Sequence, residues 1–100
     1  MKNATIKKLS AMPYAQAHVT IDNEGNIALY SYTTLVCFLS VKGWLKVTGL
    51  YSATTRKHIG AFMREYVEYP NGNRGCYYDA KQLYNDGVTM NIYTGEIEEL

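Results

Sequence analysis

Residues 44–67 read WLKVTGLYSATTRKHIGAFMREYV, and within this stretch the spacing of the apolar residues changes period. From Trp44 to Gly49, Leu45 and Val47 are opposed to Trp44, Lys46 and Thr48, the alternation of a half-buried strand. Further on, the apolar residues fall at Ile59, Phe62, Met63 and Tyr66, that is i, i+3, i+4 and i+7, one stripe of a helix. The spacing predicts a helix from about Thr54 to Val67, capped by Ser52 or Thr54. A stripe of this kind needs a surface to cover it. Burying its four side chains contributes about 1.5–3 kcal/mol each, enough to anchor the helix to a sheet.

The flanking sequence supplies that sheet. Ala17 to Asp22 alternates, with Val19 and Ile21 on one side and His18, Thr20 and Asp22 on the other, and Asn23-Glu24-Gly25-Asn26 makes a turn. Ile27 to Val41 is rich in β-branched and aromatic residues but too long for one strand, so a bend is expected near Thr33 and Thr34. Lys42-Gly43 turns the chain into the strand at Trp44. The opening segment to Gln16, interrupted by Pro13, reads as an irregular arm or a short edge strand. Beyond the helix, Pro70, Gly72 and Gly75 mark a loop, and Asp79 opens a short second helix leaning on the core through Leu83 and Tyr84. Gly87 ends it. A last strand, Val88 to Tyr93, turns at Thr94-Gly95 into an acidic end carrying Glu96, Glu98 and Glu99. The expected fold is a single α+β domain over residues 1–100. It has an antiparallel β-meander of four or five strands, one amphipathic helix packed on one face and a short second helix.

A chain of 100 residues with 47% hydrophobic and 19% charged residues has the composition of a globular domain. Its formal charge of +1 argues against a wholly cationic surface for nucleic acid or anionic lipid, so any such contact is a local patch. The N-terminal residues lack the apolar core of a signal peptide and no stretch is long enough to span a bilayer, so a cytoplasmic protein without membrane contact is expected. Cys37 lies in an apolar run, where a thiol behaves as a small hydrophobe, and Cys76 in a glycine-rich loop; no disulfide is expected. His18, His58, the two cysteines and nine carboxylates form no zinc spacing, nucleophile elbow or phosphate loop. The expectation is a protein without catalytic residues, metal or organic cofactor.

Two surfaces attract attention instead. The predicted helix carries Arg56 and Lys57 in its first turn and Glu65 and Glu68 near its end, each against the macrodipole. With the N–H groups of the helix start and the hydroxyls of Thr54 and Thr55, these cations make a ready anion site. At 100° per residue, Lys57 and Arg64 share the outward side, with the small residues Gly60 and Ala61 between them. That strip can admit a phosphate backbone or an acidic protein surface. The second surface comes from ten tyrosines, a residue type enriched at interfaces. Tyr30 and Tyr32, two apart on a strand, are expected together on the sheet face away from the helix.

The segments LYSYTTLVCFL (29–39) and WLKVTGLYSATTRKHIGAFMREY (44–66) resemble a small uncharacterised domain family of bacteriophages and integrated mobile elements of gut-type bacteria. The shared pattern is LYSYTT followed by GLYSATTRKHIGAFMREY. The resemblance implies provenance and brings no catalytic residues with it. Small phage folds often bind one host macromolecule, so it implies an anti-defence protein of the anti-CRISPR type. Such a protein, a monomer or homodimer, would occlude a host nuclease, a protein or ribonucleoprotein. A nucleic-acid-binding accessory protein of the phage is the second expectation, with an enzyme and a purely structural module behind it.

Overall fold

Strand pairing in the computed structural model, which describes residues 5–99, follows chain order without a crossover. The elements are β1 (Thr5–Lys7), β2 (Ala17–Ile21), β3 (Ile27–Ser31), β4 (Thr34–Leu39), β5 (Trp44–Val47), α1 (Ala53–Tyr66), α2 (Tyr77–Asp86), β6 (Val88–Asn91) and β7 (Ile97–Glu99). All seven strands form one antiparallel sheet, and both helices are inserted between β5 and β6. The α+β class and the meander agree with the sequence reading, but the strand count exceeds four or five. β1, three residues long at the sheet edge, is the short edge strand that was one reading of the opening segment, and β7, also three residues long, is too short for a two-residue period to show.

Cross-strand register turns the alternation into two apolar rows. Val19, Leu29, Cys37 and Val47 face one another across β2 to β5, and Ile21, Ile27, Leu39, Leu45 and Met90 form the next row. The predicted bend falls at Tyr32-Thr33, a two-residue turn between Ser31 and Thr34. Beyond it, Leu29 opposes Cys37 while Tyr30 opposes Leu35, so Val36 is an inserted residue, a β-bulge. The bulge explains why Val36 and Cys37, neighbours in sequence, are both fully buried. Burial pushes the Cys37 thiol up to about 12, so it stays protonated and packs as an apolar group.

α1 begins where Ser52, in extended backbone, accepts the Thr55 N–H on its Oγ at 3.1 Å. Ile59, Phe62 and Met63 are fully buried and Tyr66 half-buried, as the stripe predicts. The arm between β1 and β2 docks on one flank of the helix: Leu9 is buried, and Ser10 donates its N–H and Oγ to the Glu65 carboxylate at 2.8 and 2.9 Å. Glu65, unfavourable toward the dipole, is thus held there by a tertiary contact. α2 starts two residues before Asp79, with Cys76 as cap; its N–H donates to the Asp79 carboxylate at 3.3 Å, which places Asp79 inside the first turn. Ala80 and Leu83 anchor α2, whereas Tyr84 is 39% exposed rather than packed on the core. Gly87 takes the left-handed conformation, φ 66°, that ends the helix. No helix among the described residues is long and apolar enough to cross a membrane.

Candidate functional site

Four of the predicted residues, Arg56, Lys57, Gly60 and Arg64, line one shallow groove of about 410 Å³ on the outer side of α1. Tyr77 of α2 and Met12 of the arm complete it. All three cations are exposed, and none of them joins an ion pair among the described residues, where the pair found is Arg74–Glu68 at 3.9 Å. The groove therefore has three uncompensated positive charges, an aromatic wall and a floor without a side chain.

Gly60 is that floor. Glycine in a helix interior costs about 0.8–1 kcal/mol relative to alanine, and packing does not require it here. An added Cβ would lie 3.5 Å from Tyr77 Cβ and 3.8 Å from an Arg64 guanidinium nitrogen, ordinary contact distances. Gly60→Ala is accordingly expected to raise folding stability by about 0.5–1 kcal/mol, read as a higher Tm and an unchanged circular dichroism spectrum. A fall in stability would show that the helix crossing depends on the missing methyl.

Two parts of the predicted anion site are corrected. Ala61, expected on the outward strip, is only 1% exposed. It lies one turn before Glu65, on the flank that the arm covers, so the strip is narrowed to Lys57, Gly60 and Arg64. Thr55, expected to offer its hydroxyl to a ligand, is 3% exposed and turned into the core. Its Oγ1 lies 3.1 Å from Ser31 Oγ and accepts from Ser52 Oγ at 3.2 Å. With Ser52 capping the first turn, what remains attractive to anions is the set of side-chain cations.

The tyrosine pair is also separated. Tyr30 does face away from the helices, stacked on His18 with ring centroids 5.1 Å apart and planes 7° from parallel. It borders a cleft of about 330 Å³ floored by Ala28 and walled by Leu35 and Phe38. Tyr32 leaves that face because it is in the turn, with φ 57°, a left-handed conformation rare for a bulky residue. Its N–H donates to the Gln16 carbonyl at 2.7 Å, and its ring tilts over His58 at 6.1 Å. The bend expected near Thr33 and Thr34 begins one residue earlier, which takes Tyr32 out of the strand alternation.

Beneath Tyr32 lies a polar cluster that sequence spacing did not reveal. His58 is 1% exposed, its Nδ1 lies 2.9 Å from Ser31 Oγ, and Ser31 in turn meets Thr55. Burial holds the imidazole below its ordinary pKa of 6.5, so it is neutral. A Ser–His contact is the start of a nucleophilic pair, but this one is sealed: Ser31 is 2% exposed and no carboxylate among the described residues orients the ring. The signal available in sequence was Ser31, on the same face as Leu29 in β3 and therefore obliged to find a polar partner.

Residues 1–83 match the model of a family of unknown function, DUF8033. The chain belongs to this family. The groove and the Ser31–Thr55–His58 cluster lie wholly within the matched DUF8033 region, whereas β6, β7 and the turn carrying Tyr93 lie beyond it. No curated protein and no solved structure matches the chain.

Proposed function

We propose that this protein acts by binding rather than by catalysis. Its groove between α1, α2 and the arm covers an anionic surface of a host protein or ribonucleoprotein, as an anti-defence inhibitor of a nuclease complex would. The observation that carries the reading is the cluster of Arg56, Lys57 and Arg64, without partner carboxylates, around the bare floor at Gly60. Arg56 sits in the first turn of α1, against the positive end of the macrodipole, at a cost of about 0.3–1 kcal/mol. An acidic partner or a phosphate removes that penalty on contact and supplies charge-assisted hydrogen bonds.

The test is a double charge reversal, Lys57→Glu with Arg64→Glu. Both sites are exposed, so stability is expected to stay within about 0.5 kcal/mol, while capture of the partner from host lysate is lost. Undiminished capture would reduce the groove to solvated surface. Nuclease treatment of the lysate separates a protein partner, which is retained, from a nucleic acid.

A second reading, a nucleic-acid-binding accessory protein, draws on the sheet face away from the helices. Tyr30, Phe38 and Trp44 are half-buried there, with Phe38 directly opposite Lys46 on β5. Aromatic rings beside a cation on an open sheet suit unstacked bases. On that reading, binding of single strands falls steeply with salt and depends on Tyr30 and Phe38.

A further inference from the structure

We infer that the pocket at the C-terminal end of α1 is a binding site for an alkylammonium group, chemically the opposite of the cationic groove. A cavity of about 420 Å³ is lined there by Tyr66, Glu68, Tyr69, Pro70, Ile92 and Tyr93. Three of its six lining residues are tyrosines, and each ring is seated by a different contact. Tyr66 packs on Phe62 with centroids 5.1 Å apart. Tyr69 donates its hydroxyl to the Asp79 carboxylate at 2.8 Å. Tyr93 lies flush on Gly43, where a Cβ would come within 2.5 Å of the ring. Core stability does not ask for this arrangement at Tyr93, which is 58% exposed. Rings fixed in advance lose little freedom when a ligand enters.

Charge decides the class of ligand. The π faces of tyrosines attract cations, and the pocket opens at the negative end of the α1 macrodipole. Glu68 adds a carboxylate. Arg74 meets Glu68 at 3.9 Å and donates to the Glu65 carbonyl of α1 at 3.4 Å, two long contacts of a side chain more than half exposed that can give way to a ligand. An anion would meet repulsion from each of these features, and a neutral apolar group would gain contact area with the rings but nothing from the charges. A methylated or protonated amine gains from all three.

The probe is choline, compared with its neutral isostere 3,3-dimethylbutan-1-ol, in an NMR titration of the full chain. Choline is expected to shift resonances of Tyr66, Tyr69 and Tyr93 and to bind about tenfold more tightly than the alcohol. Tyr93→Phe keeps the π face and should retain this preference, whereas Tyr93→Leu keeps bulk alone and should lose it, with thermal melts confirming that both variants are folded. Equal affinity for choline and alcohol, or shifts confined to other parts of the protein, would overturn the assignment. Trimethyl-lysine peptide and phosphocholine then separate a protein side chain from a lipid headgroup as the source. The site stands apart from the proposed groove: Lys57→Glu with Arg64→Glu should leave the choline titration unchanged whatever it does to partner capture.

Discussion

Phe62→Ala is expected to cost about 3–5 kcal/mol of folding stability, measured by urea denaturation with an unchanged m-value. Phe62 is fully buried on the core stripe of α1, and its ring also backs Tyr66 at 5.1 Å. Truncation removes the transfer energy of the ring and leaves a cavity among Leu29, Ile59 and their neighbours that a sheet on one side and a helix on the other cannot collapse to fill. A domain of this size has only about 5–15 kcal/mol of stability, so the variant should melt more than about 10 °C lower. Tyr14→Ala, at a residue 97% exposed, serves as the control and should stay within about 0.5 kcal/mol. A Phe62→Ala loss no larger than that of Tyr14→Ala would mean that α1 is not seated on the sheet through this stripe.

The same stripe shows what made the fold legible. Ile59, Phe62 and Met63 repeat at helical spacing, and Val19, Leu29, Leu45 and Val47 repeat at strand spacing, so each element announced both its type and its inward face. What escaped were features that carry no period. A three-residue strand such as β7 offers one alternation, and its pairing depends on its neighbour. The start of α2 was placed at Asp79 because acidic residues favour helix N-termini, but Asp79 serves from the third helical position, accepting the Cys76 N–H while also holding Tyr69.

The candidate site was legible to the extent that it lay on one element. Lys57, Gly60 and Arg64 share a face of α1 by spacing alone, and the fold brings them together with Arg56. A helix wheel with one covered side turns Ala61 outward, and the free hydroxyl expected of Thr55 overlooks its place on the wheel. Thr55, four residues before Ile59, in fact belongs to the core stripe, and Ala61, about 100° from its nearest member, is buried because the arm covers that flank of α1. Tyr32 was misplaced because its backbone leaves the strand, and with it the alternation that put it beside Tyr30. Tyr77 and Met12 belong to other elements and could be found only through tertiary structure.

His58→Gln is expected to remove a loss of stability that the parent protein shows as pH falls below about 6.5. The sign follows from the burial of the ring. In the folded chain His58 is enclosed by Ser31, by the turn of α1 carrying Thr55 and by the Tyr32 ring, with no carboxylate hydrogen-bonded to it. Burial therefore holds its pKa below the 6.5 of an exposed histidine. Above 6.5 the ring is neutral in both states and contributes no slope. Below it, the unfolded chain takes up a proton that the folded chain refuses, and stability drops by at most about 1.4 kcal/mol per pH unit until the folded pKa is reached. Asp22 contributes in a separate window. Its carboxylate is held below 3.8 by the Asn26 side chain, so its stabilisation is lost only as pH falls from that range. Melting curves between pH 8 and 5 should thus be flat above 6.5 and fall below it. His58→Gln, whose amide can still meet Ser31, should flatten that fall. A slope that survives in His58→Gln would place the proton elsewhere.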